Sequence, residues 1–423
     1  MTETAIKEQL KKKDKVSSTF IDNMKLPVHG WFRYTAGFSA EWVKTVFDKF
    51  PESNNILDPF VGSGTVLLEG QLNGKNTYGV EAHMLIHKVA ESKLLWTINP
   101  DEFEVSSDLL LTQVLNFKLP KKKYPQLLVK CYSEETLNEL FKMKYVWENL
   151  NVNEDHKKLL WFVITSILRV SSSAGTAQWQ YVLPGKTKSR ILAPLIAYQD
   201  KINSIIKDMK LMQSKNLILG NTTLIKGDAR TLNGIPDNSI DLVVTSPPYA
   251  NNYDYADATR IELSFWEEID NWGELQNLVK NDIVRACTQH VAHIKNEIDE
   301  LFESECLNPI RDELKKQFDL LSIERLSHGG KKNYHLMALA YFKDMGDTFV
   351  ALRRVCAENS NICFVVGDSA PYGIYLPVDK WLGELAIGAG FNSYYFEKTR
   401  DRNVKWKNRK HTIPLKEGRL WIK

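Results

Sequence analysis

Two short stretches of this chain carry residue types whose spacing suits chemistry. The first, Asp58-Pro59-Phe60-Val61-Gly62-Ser63-Gly64-Thr65, follows an apolar run and precedes a helix-like one. Gly62 and Gly64 permit a tight turn and let backbone approach a ligand where a Cβ would intrude. The helix start beyond them presents unsatisfied N–H groups. A phosphate loop would carry a lysine after its last glycine, and a dinucleotide loop a third glycine; neither occurs here. Glu81 closes the next strand-like run, at a place where an acidic side chain takes ribose hydroxyls in doubly wound folds. Asp228, followed by Ala229, closes a third run and can accept a hydrogen bond from an adenine amino group. One glycine turn with carboxylates at three strand ends (Asp58, Glu81, Asp228) points to S-adenosylmethionine, with Pro59, Phe60 and Thr65 completing the cofactor turn.

The second stretch is Thr245-Ser246-Pro247-Pro248-Tyr249, which ends the strand-like Asp241-Leu242-Val243-Val244. Proline lacks an N–H and pushes the residue before it toward extended geometry. The segment is therefore stiff, rich in acceptors and poor in donors. Such a slot suits a substrate that is itself a donor, an exocyclic NH2. Accepting both amino protons draws the nitrogen lone pair out of conjugation, so that it can attack a sulfonium methyl. Tyr249 supplies a face on which a base can stack. Catalytic roles thus fall on Ser246, Pro247, Pro248 and Tyr249, and the following Asn251–Tyr255 can line a pocket for the base. With residues 55–59 as the first strand, this segment ends the fourth. In the order 3-2-1-4-5 those two strands are neighbours facing one crevice.

These residues need a sheet to hold them. The chain has 423 residues, enough for a sizeable core. A composition of 43% hydrophobic and 25% charged residues, without low-complexity tracts, excludes a disordered or fibrous chain. Fifty-five Lys and Arg against 52 Asp and Glu leave only +3, so any nucleic-acid footprint has to be local. Five cysteines without a CxxC pair argue against a disulfide framework and against zinc. No metal is expected, and His290 and His293 read as helix-surface residues. No apolar run reaches membrane-spanning length and the amino terminus is polar, so the expected location is cytoplasmic.

The expected fold is α/β: a Rossmann-like sheet with helices on both faces, interrupted by two mainly helical insertions. A basic flexible arm occupies 1–20 and a catalytic, cofactor-binding part 21–100. A helical insertion follows at 101–215, then the proline-segment part at 216–255. A second helical insertion spans 256–330, and the C-terminal part of the catalytic domain 331–423.

Together the two stretches resemble the S-adenosylmethionine-dependent amino-methyltransferases of DNA, which methylate cytosine N4 or adenine N6. The likeness extends to residues 31–43, to 246–266, and to 341–355 and 365–391. It implies a class I methyltransferase sheet, with Tyr34, Phe38 and Ser39 flanking the cofactor. The glycine turn precedes the proline segment here, unlike in members whose halves are permuted. Serine at the position of Ser246 is commoner in cytosine-N4 members, and aspartate or asparagine in adenine-N6 members. The resemblance therefore implies cytosine N4, with adenine N6 as the alternative and RNA amino-methylation behind both. Cytosine-C5 methylation is disfavoured, because the Pro-Cys dipeptide carrying its nucleophile is absent.

The implied partner is double-stranded DNA with the target base flipped out; a cognate restriction endonuclease is the implied second partner. In Lys398–Lys410, seven Lys and Arg against one Asp surround Trp406. That density suits phosphate contact by Lys398, Arg400, Arg402, Lys405, Lys407, Arg409 and Lys410. The two insertions are the candidates for target recognition and DNA contact.

Overall fold

The computed structural model describes residues 20–34, 37–176, 181–251, 253–271, 273–274, 283–402 and 414–423. Residues 1–19 of the expected arm thus lie outside the described residues, as do Asn252 and the stretch 403–413. The centre is a sheet of seven strands. In chain order these are β1 (Asn55–Asp58), β2 (Asn76–Glu81), β5 (Thr222–Lys226), β6 (Ile240–Thr245), β7 (Cys356–Gly367), β8 (Tyr394–Arg402) and β9 (Leu415–Ile422). A separate hairpin pairs β3 (Ala174–Thr176) with β4 (Val182–Thr187).

The spatial order is β5-β2-β1-β6-β7-β9-β8. The pairs from β5 to β7 are parallel, and β9 runs antiparallel between β7 and β8. The first strand therefore lies beside the fourth strand of this sheet, in the register Ile56↔Leu242 and Leu57↔Val243, as the sequence predicts.

Helices of eight residues or more are α1 (Ala40–Lys49), α2 (Thr65–Leu72), α3 (Met84–Leu94), α4 (Pro100–Asn116) and α5 (Glu134–Asn149). They continue with α6 (Glu154–Ser171), α7 (Pro194–Gln213), α8 (Arg311–Glu324), α9 (Tyr334–Val355) and α10 (Val378–Gly388). Side chains alternate across a strand, and both faces of the central strands are apolar, which requires cover on each side. Ile56, Leu242, Val244, Cys363, Val365 and Trp421 share one core with Trp42, Val43, Val46 and Phe47 of α1. Leu57, Val243, Ile362, Phe364 and Leu420 point the other way, into a core with α9 and α10. The stripe on α1 follows the helical period, and Ser39 starts that helix by accepting from the Trp42 amide at 3.3 Å.

Three features of the structure go beyond the sequence expectations. The stretch 101–215 is largely helical, but it also contains the β3–β4 hairpin. The first strand has only three residues, and the second, Val182-Leu183-Pro184-Gly185-Lys186-Thr187, is interrupted by proline and glycine and shows no alternating burial. The stretch 256–330 divides its buried side chains between two cores. Ala256, Ile261, Phe265 and Trp266 join the cluster formed by α3 through α7, whereas Val284, Val291, Leu314 and Phe318 pack onto the sheet face below α9. Finally, β9 has no clear strand signature, because Glu417, Gly418 and Arg419 break its apolar run. Among the described residues no helix is long and apolar enough to cross a membrane.

Phe364 is fully buried at the centre of the sheet and stacks on Phe349 of α9 with ring centroids 5.3 Å apart. Phe364→Ala is expected to cost about 3–5 kcal/mol of stability. The check is the change in unfolding free energy from urea titration.

Candidate functional site

The carboxyl ends of β1, β2 and β6 meet at the glycine turn. Asp58, the last residue of β1, is fully buried. Its Oδ1 accepts from the Phe60 amide at 3.0 Å and from the Thr245 hydroxyl at 2.6 Å. Burial pushes this carboxyl up to about 7, against the opposing pull of those two donors. Gly62 and Gly64 both have positive φ, 53° and 84°, and a Cβ on Gly62 would stand 2.9 Å from Cε1 of Tyr34. Glu81, closing β2, accepts from the Gly62 amide through Oε2 and from the His83 amide through Oε1, both at 2.8 Å. It too is pushed up to about 7 by burial.

A cleft of about 740 Å³, partly open to solvent, lies over this turn. The turn contributes Pro59, Phe60, Gly62 and Thr65 to its wall, and β2 contributes Glu81. Tyr34 and Phe38 enter from the N-terminal side, Ala229 from beyond β5, and Ser246 and Pro248 from beyond β6. Ten of the residues singled out by sequence for cofactor binding or catalysis thus surround one space.

The others stand behind or beside it. Asp58 anchors the turn from below, and Gly64 caps α2 against Ala90. Ser39 serves as the cap of α1, and Pro247 is buried. Asp228 is turned to Arg230, whose Nε and Nη2 reach its carboxylate at 2.7–3.0 Å. Arg230 in turn reaches Asp344.

The Ser246 hydroxyl donates to the Val365 carbonyl at 3.3 Å. Tyr249 lies outside the cleft wall with the Arg402 guanidinium 5.2 Å from its ring centroid, and burial raises its phenol above the ordinary value. Arg402 also donates to the Asp368 carbonyl at 2.9 Å. Arg400 makes a two-pronged pair with Glu417 of β9, both contacts at 2.9 Å. Lys398 pairs with Asp401 at the surface, 2.6 Å apart. Of the seven cations expected to hold phosphate, these three are engaged within the protein. Lys405, Lys407, Arg409 and Lys410 lie outside the described residues.

Sequence reasoning missed several participants. His83, Ile283 and Val284 line the cleft. Tyr255, from the stretch flagged as a base pocket, lines it as well. A smaller cavity of about 360 Å³ lies beyond Tyr34, His83 and Tyr255, walled by Tyr253 and by the Arg169–Glu262 pair. Lys93 of α3 reaches under the turn, and its Nζ donates to the Ser63 carbonyl at 2.8 Å. Burial pulls this amine down to about 7. A single lysine in a helical run carries no signal of that role. His290, expected on a helix surface, is buried, whereas His293 is exposed. The reason is the packing of the segment around it onto the sheet, which periodicity over a few residues does not reveal.

No protein-family model matches this chain, and no solved structure does. Curated proteins are similar over most of its length, three of them as follows. The Type II methyltransferase M.BsoBI of Geobacillus stearothermophilus is 26% identical over 419 residues, covering 87% of this chain and 79% of the relative. The Type II methyltransferase M.AvaI of a Nostoc species is 25% identical over 403 residues, 88% and 81% of the two chains. The Type II methyltransferase M.MvaI of Kocuria varians is 21% identical over 386 residues, 86% and 82%.

The buried Asp58 carboxyl has a defined pH signature. Its pKa rises from 3.8 to about 7 on folding, so the folded state holds the proton more tightly. Its contribution to stability is present below pH 3.8 and is lost as pH rises through about 7. Asp58→Asn removes this titration. In the absence of ligand, the stability difference between variant and wild type is expected to shift in favour of the variant from pH 4 to pH 7. Chemical denaturation across that range checks it, and a difference independent of pH would contradict it.

Proposed function

We propose that this chain is a site-specific DNA methyltransferase that uses S-adenosylmethionine and acts on an exocyclic amino group, cytosine N4 ahead of adenine N6. The observation that carries the reading is the Thr245–Asp58 hydrogen bond. It joins an acceptor-rich proline segment to a glycine turn at one cleft, in a chain similar over most of its length to Type II methyltransferases. Those relatives also support a place in a restriction–modification system, with a cognate endonuclease as functional partner.

The residues present fit the cofactor. The turn is a cradle that a Cβ at Gly62 would fill. Among the described residues each Glu81 oxygen accepts from one backbone amide, and a carboxylate oxygen can accept more than one hydrogen bond, so ribose hydroxyls can still be held. Phe60 and Phe38 offer apolar surface, while Ala229 places backbone rather than bulk at the wall. Asp228, held by Arg230, is assigned the adenine side of the site only through the resemblance. When bound, S-adenosylmethionine supplies an electrophilic sulfonium methyl.

The chain's own task is to present a nucleophilic nitrogen. The Ser246 hydroxyl donates to the Val365 carbonyl and also meets the Tyr249 phenol; a hydroxyl oxygen has two lone pairs, so one remains to accept an amino proton from the base. Pro247 and Pro248 add no competing N–H and hold this geometry stiff. Both amino protons of the base are then drawn to acceptors, which localises the nitrogen lone pair for in-line attack. Tyr249 offers a ring for stacking, braced by Arg402. A base inside a duplex is out of reach of this cleft, so the target is flipped out at a cost of a few kcal/mol in unstacking. Phosphate contact is assigned to Lys405, Lys407, Arg409 and Lys410, with Lys398 at the edge, since Arg400 and Arg402 serve the protein itself. The helical stretch 101–215 and the residues following the proline segment are assigned to target recognition.

Ser246→Ala and Tyr249→Ala are each expected to keep cofactor affinity while losing about 1–3 kcal/mol of transition-state stabilisation. Gly62→Val is expected to abolish cofactor binding. Calorimetry with S-adenosylmethionine and transfer of radiolabelled methyl to duplex DNA separate the two effects. Modification-sensitive sequencing of DNA from expressing cells reports the base. Undiminished labelling by both Ser246→Ala and Tyr249→Ala would refute the mechanism, and N6-methyladenine at the site would replace cytosine N4.

A further inference from the structure

Beside the cleft the fold brings together three side chains that are not part of its wall. Asp254 lies just past the proline segment, while Cys287 and His290 belong to the separate segment that packs on the sheet. One potential ligand atom from each lies within 4.8 Å of the others. All three residues are at most 3% exposed. His290 Nε2 stands 3.3 Å from Asp254 Oδ1. Two donors sharing a tetrahedral zinc at bond lengths of about 2.0–2.2 Å are separated by about 3.3–3.6 Å. The observed spacing therefore suits a shared ion as well as a hydrogen bond.

Two further features single out this cluster. Asp254 Oδ2 is buried without a hydrogen-bond partner among the described residues, as is His290 Nδ1, the ring nitrogen that does not meet Asp254; an imidazole gives an ion one nitrogen only, so the unmet atom that an ion held at Nε2 would satisfy is Asp254 Oδ2. Such atoms in a folded protein call for an ion or an ordered water. Asp254 Oδ1 already caps the short helix Tyr255–Ala258, taking the amides of Ala256 and Asp257 at 3.0 Å. Capping accounts for one oxygen and leaves the other unexplained. In addition, the turn Cys287-Thr288-Gln289-His290 has the two-residue spacing of a half-site for zinc. Its Cys287 sulfur takes a hydrogen bond from the Gln289 backbone, an arrangement that orients a sulfur ligand.

We propose that Asp254, Cys287 and His290 bind one divalent transition-metal ion. Zinc fits best, because the donors mix thiolate, imidazole and carboxylate. The chain supplies three ligands and leaves a fourth position for solvent. The absence of CxxC argued against zinc at the level of sequence, since the third ligand comes from a different segment and no local spacing announces it. The ion would act as a brace: Tyr255, next to Asp254, and Ile283 and Val284, just before Cys287, line the cleft. Metal binding would therefore join two of its walls.

The test uses the full chain and reads the metal itself. Protein purified without chelator from zinc-supplemented cells is expected to carry about one zinc per chain by plasma mass spectrometry. After chelation, Co2+ titration of the wild-type chain is expected to give a thiolate-to-cobalt charge-transfer band saturating at one equivalent. Cys287→Ser should abolish that band, and His290→Ala should weaken Co2+ affinity at least about tenfold. Circular dichroism verifies that the variants are folded. Sub-stoichiometric zinc together with no thiolate band in the wild-type chain would overturn the proposal, whatever the variants do. So would a band that persists in Cys287→Ser, since the sulfur would then belong to another cysteine.

Discussion

A single hydrogen bond of 2.6 Å, from the Thr245 hydroxyl to the Asp58 carboxylate, sets the position of everything at the cleft. It spans the last residues of β1 and β6, the two strands whose parallel pairing brings the ends of distant segments together. The same carboxylate oxygen holds the Phe60 amide and so shapes the turn that follows. The glycine turn and the proline segment are thus one mechanical unit. A shift in either strand would move the glycine turn and the proline segment together.

That unit is built from buried ionisable groups, which is costly in the absence of ligand. Asp58, Glu81 and Lys93 come from three elements and all converge on the turn. Burial drives the two acids up and the amine down, toward about 7 in each case. Their hydrogen bonds do not fully offset the loss of water. The stability required comes from the two apolar cores on either side of the sheet. In a low-dielectric cleft the remaining dipoles act more strongly on a bound ligand than they would in water, so the arrangement exchanges stability for preorganisation.

The C-terminal hairpin shows how tertiary pairing reassigns charge. Read as a string, residues 398–410 are a dense cationic run. In the fold, β9 inserts beside β8 and presents the buried Glu417, which takes Arg400 at 2.9 Å and stands near Arg402. Arg402 then braces Tyr249. Two of the cations are therefore engaged within the protein. Their neutralising partner lies beyond the cationic run, 17 residues from Arg400, and comes close across the β8–β9 pairing, so net charge over a window overstates what faces solvent.

By itself the sequence determined the α/β class, the adjacency of the first and fourth strands of the sheet, the glycine turn with Glu81 at the cleft, and the proline segment. Each is written in local pattern: glycines where φ must be positive, prolines where donors must be missing, apolar runs of strand length. The tertiary structure alone decided which polar groups are spent on the fold. It turned Asp228 to Arg230, used Ser39 as a helix cap, and placed Lys93 under the turn. It also split residues 256–330 between two cores and gathered Asp254, Cys287 and His290. The physical reason is that a hydrogen bond or ion pair needs its partner within about 3 Å in space, and no spacing along the chain encodes a partner supplied by another strand.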